Sequence, residues 1–227
     1  FQMRDRPPTP LLRPGAMVAR ASHLPLSAAL LLAGCTHPEE TRPPPAPAVS
    51  GAAYTTAQIR GEVEDLLRGR TIDATRRVEL LERLDTFLTS DEFVAQSQRA
   101  PVRAVGVYHW AEGGVVVKIA RGEGSVRFID APAAHRIRLK YTSVGAQIGG
   151  SSSWGALLAT NLPDLAALEG TYVGEVRSAT ALDASVGVLR MVHRTRGERV
   201  FFVGVAAGLS ADAGESEMVI AFDPPLP

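Results

Sequence analysis

The chain has 227 residues, 45% hydrophobic and 21% charged, with 24 basic side chains, 24 acidic ones and a single cysteine. This composition suits one ordinary folded domain with extensions rather than a disordered chain. One cysteine excludes an intrachain disulfide framework and a cysteine cage for zinc, and zero net charge lacks the basic footprint of a dedicated nucleic-acid binder. The zero is an average of unlike parts. Residues 1–34 set Arg4, Arg6, Arg13 and Arg20 against Asp5, net +3, and the remaining residues carry net −3.

That positive head reads as a targeting segment. Met17 is the expected start, with Met3 as the alternative, and it opens a short basic stretch containing Arg20 and His23. Residues 24–32 are an apolar run of nine, too short to span a hydrocarbon core, which takes about 20. Leu32-Ala33-Gly34-Cys35 resembles the lipobox of bacterial lipoproteins: a leucine, two small residues, then the cysteine to be modified. The resemblance implies that residues 1–34 are an extension and signal peptide, and that Cys35 becomes the first residue after cleavage. It also implies a diacylglycerol thioether and an N-acyl chain such as palmitate on Cys35, since several acyl chains hold a protein on a bilayer far better than one. The other reading makes Cys35 an apolar residue of a buried helix. Thr36, where an aspartate would favour inner-membrane retention, points to the outer membrane of the cell envelope, facing the periplasm.

Residues 35–53 are rich in proline and small residues and read as an extended spacer. Helical periodicity follows. Ile59, Val63, Leu66 and Leu67 recur at i, i+4, i+7 and i+8 behind a cap at Thr55 or Thr56, and Gly69 ends the run. A second helix starts near Thr71 or Asp73 with Val78, Leu81, Leu84 and Leu88 as its expected stripe. Ser90 caps a third, with Asp91 and Glu92 in its first turn, which stops before Pro101.

From Val102 the pattern becomes short β-branched runs. Strands are expected over 102–110, 115–120, 125–130, 135–147, 154–160, 182–193, 199–207 and 217–222. Turns are expected at Glu112-Gly113-Gly114, Arg121-Gly122-Glu123-Gly124 and Thr195-Arg-Gly197-Glu198, with a short helical piece over 163–168. The fold class is therefore α+β: amphipathic N-terminal helices on a curved, mainly antiparallel β-sheet or barrel-like body, over residues 54–223. Twenty-one glycines suit strong curvature and close backbone approach.

Several of these segments resemble the SYLF domain, a lipid-binding module of bacteria and eukaryotes. Tyr141-Thr-Ser143-Val-Gly145-Ala-Gln147-Ile-Gly149 is similar to its Ser-aromatic-Gly-x-Gln-x-Gly strand, with Val144 in the aromatic's place. Gly122-Glu-Gly124-Ser-Val126, preceded by Gly113-Gly114-Val115, resembles its Gly-x-Gly-hydrophobic turn. Ala184-Ser185-Val-Gly187 and Val205-Ala-Ala-Gly208-Leu209 are similar to its later strands, in the same order. The resemblance implies binding of membrane lipid headgroups, here anionic phospholipid or another anionic envelope component.

Arg136, Arg138 and Lys140 alternate with Ile137, Leu139 and Tyr141, so on a strand the three cations share one face. They are the candidate headgroup-binding residues. A solvated outer face guarding a sheet edge is the alternative. Arg190, Arg194, Arg196 and Arg199 form a second basic group beside a turn, where solvation alone would account for them. No histidine spacing suits a metal and Gly122-x-Gly124 lacks a dinucleotide fingerprint, so neither metal nor cofactor is expected. A serine hydrolase built from Ser153, His109 or His193 and Asp183 is the weakest option, since Ser151-Ser-Ser153-Trp154-Gly155 does not fit a nucleophile elbow. The expectation is a non-catalytic, lipid-anchored envelope protein that meets the membrane through Cys35. A non-enzymatic adaptor with a protein partner is its main rival.

Overall fold

The computed structural model describes residues 51–113, 117–147, 151–174, 187–206 and 210–226, all within one unit, Arg42–Pro227. Leu32, Ala33, Gly34, Cys35 and most of the spacer lie outside the described residues, as do Gly114, Gly149, Asp183, Ala184, Ser185, Gly208 and Leu209.

Three helices come first: α1 Thr56–Arg68, α2 Ala74–Leu88 and α3 Asp91–Arg99. Each starts where a short polar side chain satisfies backbone N–H groups that the first turn leaves without helical partners. Thr55 and Gln58 form a reciprocal capping box on α1, Asp73 accepts from the N–H groups of Thr75 and Arg76, and the Ser90 hydroxyl accepts from Phe93 N–H. The buried face of α1 is Ile59, Val63, Leu66 and Leu67, as its spacing predicts. On α2 the buried residues are Leu80, Leu84, Phe87 and Leu88, while Val78 is 56% exposed. Both stripes satisfy the helical period, and the one carrying the phenylalanine faces the barrel.

Eight strands follow: β1 Val102–Gly113, β2 Val117–Phe128, β3 Ala131–Gln147, β4 Ser151–Thr160, β5 Gly170–Gly174, β6 Val188–His193, β7 Arg199–Ala206 and β8 Ser210–Phe222. They close a barrel in the order β1-β2-β3-β8-β5-β6-β7-β4, with every neighbouring pair antiparallel. Closure through the β1–β4 ladder leaves no edge strand in the ring, so β3 has no edge to guard. The 3-10 turn Ala166–Leu168 lies between β4 and β5, which are not neighbours in the ring.

The structure differs from the sequence expectations at two places. The turn expected at residues 121–124 is the middle of β2, paired with Ala111, Trp110, His109 and Tyr108 of β1. The expected strands over 115–120 and 125–130 merge into β2, and the turn falls at Ile129 and Asp130. Gly122 and Gly124 are small because neighbours fill the space: a Cβ on Gly122 would lie 2.4 Å from His109 O and 2.5 Å from Trp110 Cβ. Glycine in a strand marks close approach as readily as a turn. Second, β5 was not expected, because its five residues Gly-Thr-Tyr-Val-Gly carry too little pattern to stand out.

Strand alternation divides the core into two layers. The inner one fills the barrel with Tyr108, Trp110, Phe128, Ile137, Leu139, Tyr141, Leu157, Tyr172, Phe202, Met218, Ile220 and Phe222. The rings of Tyr108 and Phe202 meet edge to face at 5.3 Å, and Tyr108 lies against the backbones of Gly155 and Gly204. The outer layer lies between the helices and the wall made by β1, β4 and β7, where Val105, Val107, Ala156, Leu158, Phe201 and Val203 meet Leu67, Leu80, Leu84, Phe87 and Phe93. Full burial of such a side chain stabilises the fold by about 1.5–3 kcal/mol. The helices thus cover one side of the barrel.

Candidate functional site

The wall formed by β2 and β3 carries Arg136, Arg138 and Lys140. Alternation holds along β3: Ile137, Leu139 and Tyr141 are buried inside the barrel, while the three cations are exposed outside. Register brings β2 partners alongside them, with Ser125 opposite Arg136, Glu123 opposite Arg138 and Arg121 opposite Lys140. Arg136 Nη2 donates to Glu123 Oε2 at 3.4 Å, and Arg138 Nε lies 3.8 Å from Asp223 Oδ2. Glu123 also lies 3.8 Å from Arg70, just after α1.

Arg121 and Lys140 differ from those two. They are exposed, directly opposed across the ladder, and have no acidic partner within ion-pair distance among the described residues. Like charges at facing positions are destabilising, because their Cβ atoms are about 4.5–5.5 Å apart. The pair is therefore a place where an external anion gains the most. Sequence reading missed Arg121 because the glycines beside it suggested a turn. The signal available was parity: Arg121 shares a face with Ile119 and Glu123.

The same face is apolar toward the end of the barrel where β1, β3, β5 and β7 finish. Val117 faces Val144, and Ile119 faces Thr142. Val117 is 50% exposed, Ile119 43% and Val144 52%. The β2–β3 wall thus runs from an apolar strip, through the Arg121–Lys140 pair, to the ion-paired Arg136, Arg138 and Glu123.

The second basic group is not a solvated turn. Arg190 pairs with Glu92 of α3, Arg194 Nη2 donates to Glu217 at 2.8 Å, and Arg199 Nη1 donates to Gln96 Oε1 at 3.0 Å. Arg196 Nη2 donates to the carbonyls of Ala167 and Glu169, at 2.5 and 3.0 Å. These arginines tie the β6–β7 hairpin to its surroundings.

The hydrolase candidates are not assembled. Ser153 points into the barrel beside Trp110, whereas His109 sits outside and its ring lies 4.6 Å from that of Trp154. His193 lies at the level where Arg199 meets Thr160, seven residues along the β4–β7 ladder from Ser153, roughly 24 Å at strand spacing. Its Nδ1 accepts from the N–H groups of Thr195 and Arg196, at 3.3 and 3.2 Å. Burial, with the Arg196 charge, pushes the His193 pKa below its ordinary value. Next to it, burial raises the pKa of Tyr172, whose hydroxyl donates to Leu168 O at 2.9 Å. Among the described residues no group of three His, Cys, Asp or Glu side chains converges as a metal site, and no helix is long and apolar enough to cross a membrane.

Fold and surface together define a class: a closed eight-stranded antiparallel barrel buttressed by three N-terminal helices, with a strip of exposed cationic and apolar residues on the β2–β3 wall. No family model matches the chain, and no curated protein is significantly similar to it. Solved structures with some likeness include a β-barrel-like uncharacterized protein of Brucella abortus, 18% identical with a TM-score of 0.43, covering 75% of this chain and 95% of that one. The virulence-associated protein VapD of Rhodococcus equi is 16% identical with a TM-score of 0.33, covering 53% of this chain and 98% of its own.

Proposed function

We propose that this chain is a lipid-anchored bacterial envelope protein whose SYLF-like domain binds phospholipid or another anionic envelope component, without catalysis. The anchor is Cys35 behind the Leu32-Ala33-Gly34 lipobox, and outer-membrane placement facing the periplasm follows from Thr36. The observation that carries the binding step is the Arg121–Lys140 pair, two directly opposed cations with no acidic partner within ion-pair distance among the described residues, beside Arg138 and Arg136. A phosphate between opposed cations relieves a repulsion that the fold otherwise bears. Overall charge contributes nothing to this attraction, because the chain beyond residue 34 is net negative. The proline content of residues 36–53 predicts an extended spacer, and 18 residues of that kind reach roughly 55 Å, which would keep the domain near the surface.

Near an anionic membrane each basic residue contributes about 1 kcal/mol. Co-sedimentation of the Arg42–Pro227 unit with phosphatidylglycerol-containing vesicles tests the proposal. Replacing Arg136, Arg138 and Lys140 by alanine is expected to weaken binding about 100-fold. Replacing Arg121 and Lys140 by glutamate is expected to abolish it. Binding that is insensitive to salt and to both sets of substitutions overturns the headgroup assignment and favours the adaptor. Mass spectrometry of the full chain from bacterial membranes tests the anchor, and an unmodified Cys35 refutes it.

A further inference from the structure

We propose that the β2–β3 wall meets the bilayer end-on, with Val117, Ile119 and Val144 entering the acyl region while Arg121 and Lys140 stay at the depth of the lipid phosphates. This rests on the barrel binding anionic lipid, and adds how it is oriented and what holds it there.

The outer face of the wall is ordered along its length. Three successive cross-strand pairs on it are Val117 with Val144, Ile119 with Thr142, and Arg121 with Lys140. Same-face neighbours along a strand are about 7 Å apart, so the first and third pairs are separated by about 14 Å. A barrel strand tilt of about 40° projects this to about 10 Å along the barrel axis. That matches the depth to which an interfacial apolar face enters the boundary between headgroups and acyl chains, about 5–10 Å. With the cations level with the phosphates, the apolar strip lies where the acyl chains begin.

The exposed apolar side chains have no comparable cluster elsewhere among the described residues. The large hydrophobic residues exposed there are Val78 on α2, Val94 on α3, and the three on this strip. Isolated exposed valines are ordinary on any surface, whereas contiguous ones mark a contact. Two adjoining cations select an anionic partner over a neutral one, which favours a bilayer over an apolar protein groove. Glu217 lies beside Thr142 on β8, and its charge is met by Arg194 at 2.8 Å. Val219, beside Lys140 on β8, extends the apolar margin.

The Arg42–Pro227 unit contains no cysteine, so single-cysteine variants can be labelled at chosen points. Val117→Cys, Ile119→Cys, Val144→Cys and, as a control on the helical side, Val78→Cys carry an environment-sensitive fluorophore. The probes are vesicles of phosphatidylglycerol and phosphatidylcholine bearing nitroxide quenchers either at the headgroup or on the upper acyl chain. The expected result is a blue shift and acyl-chain quenching at positions 117 and 144, at least partly at 119, and none at 78. Ile119→Ser combined with Val144→Ser, both exposed positions, is expected to weaken partitioning about tenfold or more with an unchanged melting temperature. If the unit binds anionic vesicles but labels at 117, 119 and 144 remain in water, insertion is overturned and headgroup binding stands. If it binds no anionic vesicle, both fall.

Discussion

Gly122 is where the sequence suggested a turn and the fold built a strand, so replacing it with alanine tests why the glycine is there. A Cβ at this position would lie 2.4 Å from His109 O, 2.5 Å from Trp110 Cβ and 2.9 Å from Trp110 Cα. Ordinary contact needs about 1 Å more, and two of these three atoms belong to the backbone of β1, which is held in register on both sides by β2 and β4. The neighbours cannot step aside by rotating a side chain. Overpacking of this kind costs about 1–3 kcal/mol, and for a domain of this size each kcal/mol shifts the melting temperature by about 2–4 °C. Gly122→Ala is therefore expected to lower it by about 2–12 °C, with rigid backbone contacts favouring the upper half of the range. Gly61→Ala is the matched control, because Gly61 lies inside α1 with nothing within 4 Å of its missing Cβ. There alanine stabilises by about 0.5–1 kcal/mol, raising the melting temperature by about 1–4 °C. Thermal unfolding followed by circular dichroism reads both. Equal shifts of the same sign, or a Gly122→Ala change within about 1 °C of the parent, would show that Gly122 does not hold space for Trp110.

The orientation of α2 is tested by Leu84→Ala, expected to cost about 2–5 kcal/mol in urea unfolding, against Val78→Ala, expected within about 0.5 kcal/mol of the parent; similar costs refute the rotated stripe. For His193, burial and the Arg196 charge hold the folded pKa below the ordinary histidine value of 6.5, so the unfolded chain binds the proton more readily. Its contribution to stability is then complete above pH 6.5 and is lost as pH falls from there through the folded pKa. Melting temperatures recorded between about pH 7.5 and pH 5 should fall with a slope that His193→Gln flattens, and an unchanged slope removes His193 as the cause.

Local chemistry determined by the sequence alone includes the cap at Ser90, the apolar stripe of α1, the inward and outward alternation of β3, and the hairpin turn around Gly197, while the caps of α1 and α2 were narrowed to Thr55 or Thr56 and to Thr71 or Asp73. Each depends on interactions within a few residues, so neighbours in sequence suffice. The lipobox motif at Cys35 is likewise a property of consecutive residues.

Other features waited for the tertiary structure. The choice between Val78 and Leu80 as the buried side of α2 depended on where the wall of β1, β4 and β7 stood, because both stripes fit the helical period. Gly122 and Gly124 could mark a turn or a crowded strand, and only the neighbouring Trp110 and Ile137 decide between these. Closure of the barrel depends on a ladder between β1 and β4, whose partners Trp110 and Ser153 are 43 positions apart and Val102 and Thr160 are 58 apart. The surface strip has the same origin. Arg121 and Lys140 are nineteen positions apart in the chain, and the β2–β3 register makes them neighbours. Side-chain period was written in each strand, but which side chains met was fixed by pairing, because a slip of one residue would have turned every one of them to the opposite face.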